Sequence, residues 1–208
     1  MRYAYLHGFA SSATSRKGVA LRDAFAQAGL TVHLPDLNRP SFAKLTFSAA
    51  LEAMTELDTP GPAWCLVGSS MGGALAALWA EQHPGRVAKL VLLAPAFDFV
   101  ARWEARLGED AFRLWEKKGA FFFPDAQDEP TPVHYGLIED ARRYAAFPAV
   151  PCPTLIIHGR ADESVSIAQS RDYVREHPAA SLIEVDDDHQ LRASTPFICS
   201  ESLRFFQA

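Results

Sequence analysis

A serine flanked by glycines offers the first chemistry in this chain: Gly68-Ser69-Ser70-Met71-Gly72, followed by Gly73, stands between an apolar run and an Ala- and Leu-rich one. A serine hydroxyl works as a nucleophile when a tight strand-to-helix turn lifts it clear of its surroundings. Glycines two positions to either side let the neighbouring backbones approach without a Cβ clash. The central residue of that G-x-S-x-G pattern is Ser70. The N–H of Met71, at the start of the helix that follows, is a natural donor to an oxyanion forming nearby. Alone, the same residues could be a turn that merely joins strand to helix. They are not a phosphate-binding loop, because the spacing G-x-x-x-x-G-K-S/T is absent.

Three further clusters each follow a predicted strand: His7-Gly8-Phe9, His158-Gly159-Arg160-Ala161-Asp162 and Asp186-Asp187-Asp188-His189. A neutral imidazole can take the serine proton during attack and return it to the leaving group. A carboxylate fixes the tautomer of that imidazole and stabilises the imidazolium. Ser70, Asp162 and His189 occur in the chain order serine, acid, histidine. The amide of Phe9, after the His-Gly, is expected as the second oxyanion donor. Singly, Asp162 reads equally well as a helix cap, His189 as a surface histidine and His7-Gly8 as a turn. Their joint order and placement favour the chemical reading. The run Asp186 to Asp188 lacks metal-ligand spacing, so no metal is expected.

These residues need elements to hold them. Tyr3–Leu6, Leu30–Leu34, Ala63–Val67, Val87–Leu93, Thr154–Ile157 and Ser181–Val185 read as strands. Between and after them, residues 15–28, Phe42–Leu57, Met71–His83, Ile167–Glu176 and Pro196–Phe206 carry helical spacing. Such alternation predicts an α/β fold with a mainly parallel sheet of about six strands, helices on both faces and the chemistry at the carboxyl ends of the strands.

The rhythm breaks between Phe97 and Val150. This stretch is aromatic, interrupted by Pro124, Pro130, Pro132 and Pro148, and shows no convincing buried strand. An insertion that long suggests a helical lid within a single domain spanning residues 1–208. Trp115, Phe121, Phe122 and Tyr135 are its expected substrate contacts, although such rings could equally complete a core or a dimer interface.

Composition narrows the partners. With 49% hydrophobic and 22% charged residues and a formal net charge of -5, the chain reads as an ordinary globular domain without a foothold for nucleic acid or an anionic membrane. No run approaches membrane-spanning length, and the first residues run straight into a strand with no export signal. Cys65, Cys152 and Cys199 form no framework. They are expected as reduced, buried thiols of a cytoplasmic protein.

With these residues assembled, the chain resembles the α/β-hydrolase superfamily over nearly its whole length. Tyr5-Leu6-His7-Gly8-Phe9 and Gly68-Ser69-Ser70-Met71-Gly72-Gly73 are similar to small bacterial esterases. Cys152-Pro153, His158-Gly159, Asp162 and Asp188-His189 are similar to acyl-protein thioesterases and carboxylesterases. The resemblance implies a serine hydrolase that cleaves a small-molecule carboxylic ester or thioester through an acyl-enzyme on Ser70, without a cofactor. Amide cleavage, perhydrolysis and C–C bond hydrolysis use the same residues and stand as alternatives, as does a non-catalytic ligand-binding member of the fold. The loop Asp36 to Phe42 lacks the Gly-rich pattern of larger relatives, and nothing in residues 97–150 names a substrate.

Overall fold

The computed structural model describes residues 1–208. Six strands form one parallel sheet: β1 (Arg2–Leu6), β2 (Val32–His33), β3 (Trp64–Ser69), β4 (Val87–Leu93), β7 (Thr154–Gly159) and β8 (Ala180–Val185), in the spatial order β2-β1-β3-β4-β7-β8. The number and direction of strands agree with the sequence reading. The central strands β3 and β7 are buried at every position, which is why they read as unbroken apolar runs rather than alternating ones.

Alternate residues of these strands feed two cores. Leu66, Leu90, Leu92 and Ile156 face one side, where they meet α2 (Phe47–Leu57) and α3 (Met71–Gln82). Cys65, Val67, Val91, Leu93, Leu155 and Ile157 face the other, where Leu21 and Phe25 of α1 (Arg16–Gln27) and Ile198 and Phe206 of α8 (Thr195–Gln207) cover them. A period of two along buried strands makes both layers obligatory. The remaining sheet-flanking helix, α7 (Ile167–Glu176), joins the first layer through Tyr173. All three cysteines are free and buried. No helix is long and apolar enough to cross a membrane.

The aromatic segment between β4 and β7 departs from expectation. It holds α4 (Phe99–Leu107), α5 (Glu109–Lys118) and α6 (Gly136–Ala141), but also an antiparallel hairpin, β5 (Ala120–Pro124) with β6 (Pro130–His134). The Phe-Phe-Phe run is a strand: Phe123 is buried, Phe121 half-buried and Phe122 exposed. Prolines at 124, 130 and 132 obscure it in sequence, yet a two-stranded ribbon has open edges on which a missing N–H costs little. Asp125 closes its turn, its Oδ1 accepting from the amides of Gln127 and Glu129 at 2.8 and 3.1 Å.

Candidate active site

Ser70 joins β3 to α3 with φ 54° and ψ −118°, a left-sided backbone conformation that side chains rarely adopt. The surroundings enforce it. The Ser70 amide donates to the Leu93 carbonyl at 2.9 Å, and its carbonyl accepts from Gly73, Ala74 and Ala96. A Cβ on Gly72 would lie 2.2 Å from the Leu6 carbonyl oxygen, and one on Gly68 would lie 2.4 Å from that of Gly72. The pattern's glycines are therefore steric necessities of a backbone that brushes the end of β1. Ala10, Ala94 and Leu191 also have positive φ, and each lies in a loop at this carboxyl edge of the sheet. Backbone strain thus collects around Ser70.

His189 Nε2 lies 3.1 Å from Ser70 Oγ, and its Nδ1 lies 2.7 Å from Asp162 Oδ2. The Asp162 side chain is wholly buried, and its Oδ1 accepts from the amides of Ser164 and Val165 at 2.8 Å each. Burial alone would raise its pKa. Hydrogen bonds from His158, His189 and the Val165 amide, with the charge of His189, outweigh that and hold the carboxyl well below the usual carboxylate range. Gly159 lets the two loops meet, since a Cβ there would lie 2.3 Å from the Asp187 carbonyl oxygen.

The first strand ends in a second fixed histidine. His7 is fully buried, and its Nε2 accepts from the Leu37 amide at 3.0 Å, so Nδ1 carries the proton and donates to the Gly8 carbonyl at 2.9 Å. Burial lowers its pKa, against the smaller opposing effects of the Gly8 carbonyl and Asp36. A neutral His7 therefore pins the loop that continues into Phe9. The Phe9 amide donates to no carbonyl or side chain of the protein, and the Met71 amide opens α3, where no intrahelical acceptor exists.

Residues 2–200 match the model of the family described as Uncharacterised protein family (UPF0227). The chain belongs to UPF0227. Among solved structures, this UPF0227 member is similar to a protein of Agrobacterium vitis S4, at 28% identity and TM-score 0.82, over 98% of this chain and 86% of that one. It is also similar to mouse alpha/beta hydrolase domain-containing protein 10, at 21% identity and TM-score 0.80, over 99% and 89%. These neighbours give it the α/β-hydrolase fold. The monoacylglycerol lipase abhd6-B of Xenopus laevis is 32% identical over 104 residues, 48% of this chain, and the match spans only 28% of that lipase.

The UPF0227 chain brings Ser70, Asp162, His189, Phe9 and Met71 to one edge, and distributes the four expected aromatic contacts differently. Trp115 is fully buried and donates Nε1–H to the Val133 carbonyl at 2.8 Å, while Tyr135 is buried with its hydroxyl accepting from Arg142. Phe122 is 65% exposed, and Phe121 packs against Trp115 and Phe123. The rings around Phe9 are instead Phe42, Trp103 and Phe123, at centroid distances of 4.9, 5.1 and 5.4 Å. Strand alternation decides this, since Phe123 turns inward where Phe122 turns out.

Two hollows flank the site. A polar one, lined by Ala161, Glu163, Ser164, Asp188, His189 and Gln190, opens at the imidazole. An apolar one between α3, α4 and α6 includes Leu78, Phe99 and Tyr144 but neither Ser70 nor His189. Sequence reading also missed His158 as a partner of Asp162 and Arg102, whose Nη1 donates to the Ser164 carbonyl at 2.8 Å and ties α4 to the acid's loop. His158 precedes Asp162 by four residues and could have been flagged. Arg102 carried no signal.

Proposed function

We propose that this protein is a serine hydrolase that cleaves a carboxylic ester or thioester with an uncharged acyl group. Ser70 attacks, His189 takes its proton and later delivers it to the leaving group, and Asp162 holds the imidazole in the Nδ1–H tautomer. The amides of Phe9 and Met71 donate to the oxyanion. The single observation that carries the reading is the continuous hydrogen-bonded path Ser70 Oγ, His189, Asp162, with distances of 3.1 and 2.7 Å, on a strained elbow. No step requires a cofactor: the ester carbon gains the Ser70 oxygen, loses the alcohol or thiol, and is released by water.

A polar hollow at the imidazole offers room for the departing group, and the rings gathered around Phe9 offer an apolar wall for the acyl group. Labelling with a fluorophosphonate tests the assignment directly. The wild type should label at Ser70, and Ser70→Ala should fold, fail to label and lose at least ~10³ in hydrolytic rate. Near-wild-type turnover in a purified Ser70→Ala protein would remove Ser70 from the mechanism.

A further inference from the structure

Helix α1 begins with two cations, Arg16 and Lys17, and carries no acidic residue in its first turn. A helix N-terminus bears partial positive charge and favours carboxylates, so a lysine there works against the local rule. Local rules tend to be broken where another demand overrides them. The demand here is visible across the fold. Lys17 Nζ donates to the Gln190 carbonyl at 2.9 Å, reaching 173 positions along the chain to the residue next to His189.

The geometry leaves Lys17 little freedom to go elsewhere. Ser15 caps α1 by accepting from the Gly18 amide at 3.3 Å, and Gly18 lies so close to Tyr5 that a Cβ there would sit 2.9 Å from the ring. The first turn of α1 is therefore pressed onto β1 beside the site. The charges that act on the ammonium through space are those of Asp162 from the loop after β7, and of Asp187, Asp188 and Arg192 from the loop that carries His189. On α1 itself Arg16 and Arg22 are exposed. Three carboxylates against one other cation make the surroundings attractive to an ammonium, and burial opposes it.

We propose that Lys17 is a positioning residue for the reaction at Ser70: its ammonium grips the Gln190 carbonyl and so holds the His189 loop at hydrogen-bonding distance from Ser70. This rests on the reading of Ser70 as nucleophile. The stretch just past His189 is where a brace matters: the start of the loop is tied to the Asp162 loop, the Ala161 amide donating to the Asp187 carbonyl at 3.1 Å, and Leu191 packs into the core at φ 53°, but the other hydrogen bonds of Gln190 and Leu191 are short-range ones. The Gln190 amide reaches the Asp188 side chain at 2.8 Å, and the Leu191 amide reaches the Asp188 carbonyl at 3.2 Å. Only the Lys17 contact anchors Gln190 to a distant element. Burial, against the pull of Asp162, Asp187 and Asp188, lowers the Lys17 pKa to about 8. Deprotonation just above neutrality would exchange a charge-assisted hydrogen bond for a weaker one.

The test follows fluorophosphonate labelling of Ser70 and ester turnover against pH in the wild type, Lys17→Arg and Lys17→Met. The wild-type rate should fall above pH about 8. Lys17→Arg should keep the neutral-pH rate and carry its plateau to higher pH, since a guanidinium stays charged. Lys17→Met should lose about 10-fold or more, mainly in kcat, because a displaced general base costs rate even when substrate still binds. Hydrogen exchange gives a readout that does not need activity: Lys17→Met should lose protection in residues 186–192 and keep it in β3 and β4. A Lys17→Met protein with wild-type rate, alkaline limb and loop protection would overturn the proposal. If the wild type fails to label while the loop loosens in Lys17→Met, the nucleophile assignment falls and the brace stands.

Discussion

His158 and His189 meet on one oxygen, Asp162 Oδ2, which His189 Nδ1 reaches at 2.7 Å and His158 Nε2 at 3.1 Å. His158 Nε2 also lies 3.0 Å from the Val165 carbonyl, and its Nδ1 lies 2.8 Å from Ser170 Oγ. Both neighbours of Nε2 are acceptors only, so Nε2 carries the proton and Nδ1 accepts from the serine. With the Ser164 and Val165 amides on Oδ1, the Asp162 carboxylate receives four hydrogen bonds while having no exposure to water. A carboxylate so held keeps its charge and its position, the two properties needed to orient His189.

Replacing this carboxylate should therefore be far more damaging than replacing its acidic neighbours. Asp162→Asn offers His189 an amide in place of an acceptor, and kcat should fall by about 10²–10⁴ as the wrong tautomer is favoured. Asp187 and Asp188 spend their carboxylates on loop amides, Asp187 on those of Asp188 and Ser194 and Asp188 on that of Gln190. Asp188→Asn should stay within a few-fold of wild type. Equal losses in the two variants would reassign the orienting acid.

Much of this arrangement was legible because chemistry and topology coincide in the sequence. Ser70, Asp162 and His189 each follow a strand, the first two of them buried at every position, and a parallel sheet delivers all such strand ends to one edge. Gly68 and Gly72 announced a close approach that the backbone contacts bear out. What escaped was set by side chains meeting across long separations. The Lys17 contact to Gln190 and the Arg102 contact to Ser164 join helices to loops, and no periodicity encodes them. The hairpin from Ala120 to His134 escaped for a different reason: its inward period of two is only Phe121, Phe123 and Val133 long, too short to stand out among prolines.

Away from the site, Asp58 should govern acid stability. Its carboxylate accepts from Arg2 Nη2 at 2.6 Å, Arg86 Nε at 2.8 Å and Trp64 Nε1 at 2.9 Å, which ties the start of β1 to the start of β3. The Arg86 hydrogen bonds, then those from Trp64 and Arg2, hold its pKa far below the ordinary value despite the opposing effect of burial. A depressed carboxyl pKa adds stability that is complete above the unfolded value of about 3.9 and is lost as pH falls through and below it. The Tm difference between wild type and Asp58→Asn should thus be constant near neutrality and shrink below about pH 4. A gap that persists unchanged down to pH 2, measured by circular dichroism, would show that these contacts act through packing rather than charge.

The rings around Phe9 make the acyl specificity testable. Phe9 contributes the amide proposed to face the oxyanion, and its side chain sits edge-on to Trp103 and Phe123 and tilted against Phe42. An acyl chain leaving the carbonyl carbon should therefore run along an apolar wall shared by the Phe9 loop, α4 and β5. Each methylene buried there contributes up to ~0.8 kcal/mol, about 4-fold in kcat/KM, so activity should climb over short chains and then level off. Phe42→Ala and Trp103→Ala should flatten the climb while leaving acetyl esters nearly untouched. Phe42 is only partly buried, so that variant keeps the test alive if Trp103→Ala unfolds. Phe122→Ala serves as the internal control, because its ring is 65% exposed on the far side of the same strand and should change neither slope nor plateau. Trp115→Ala should instead lose stability by about 3–5 kcal/mol, since it empties the centre of the aromatic cluster. A profile that is flat in the wild type, or one that Phe122→Ala flattens as much as Phe42→Ala does, would show that the acyl group lies elsewhere.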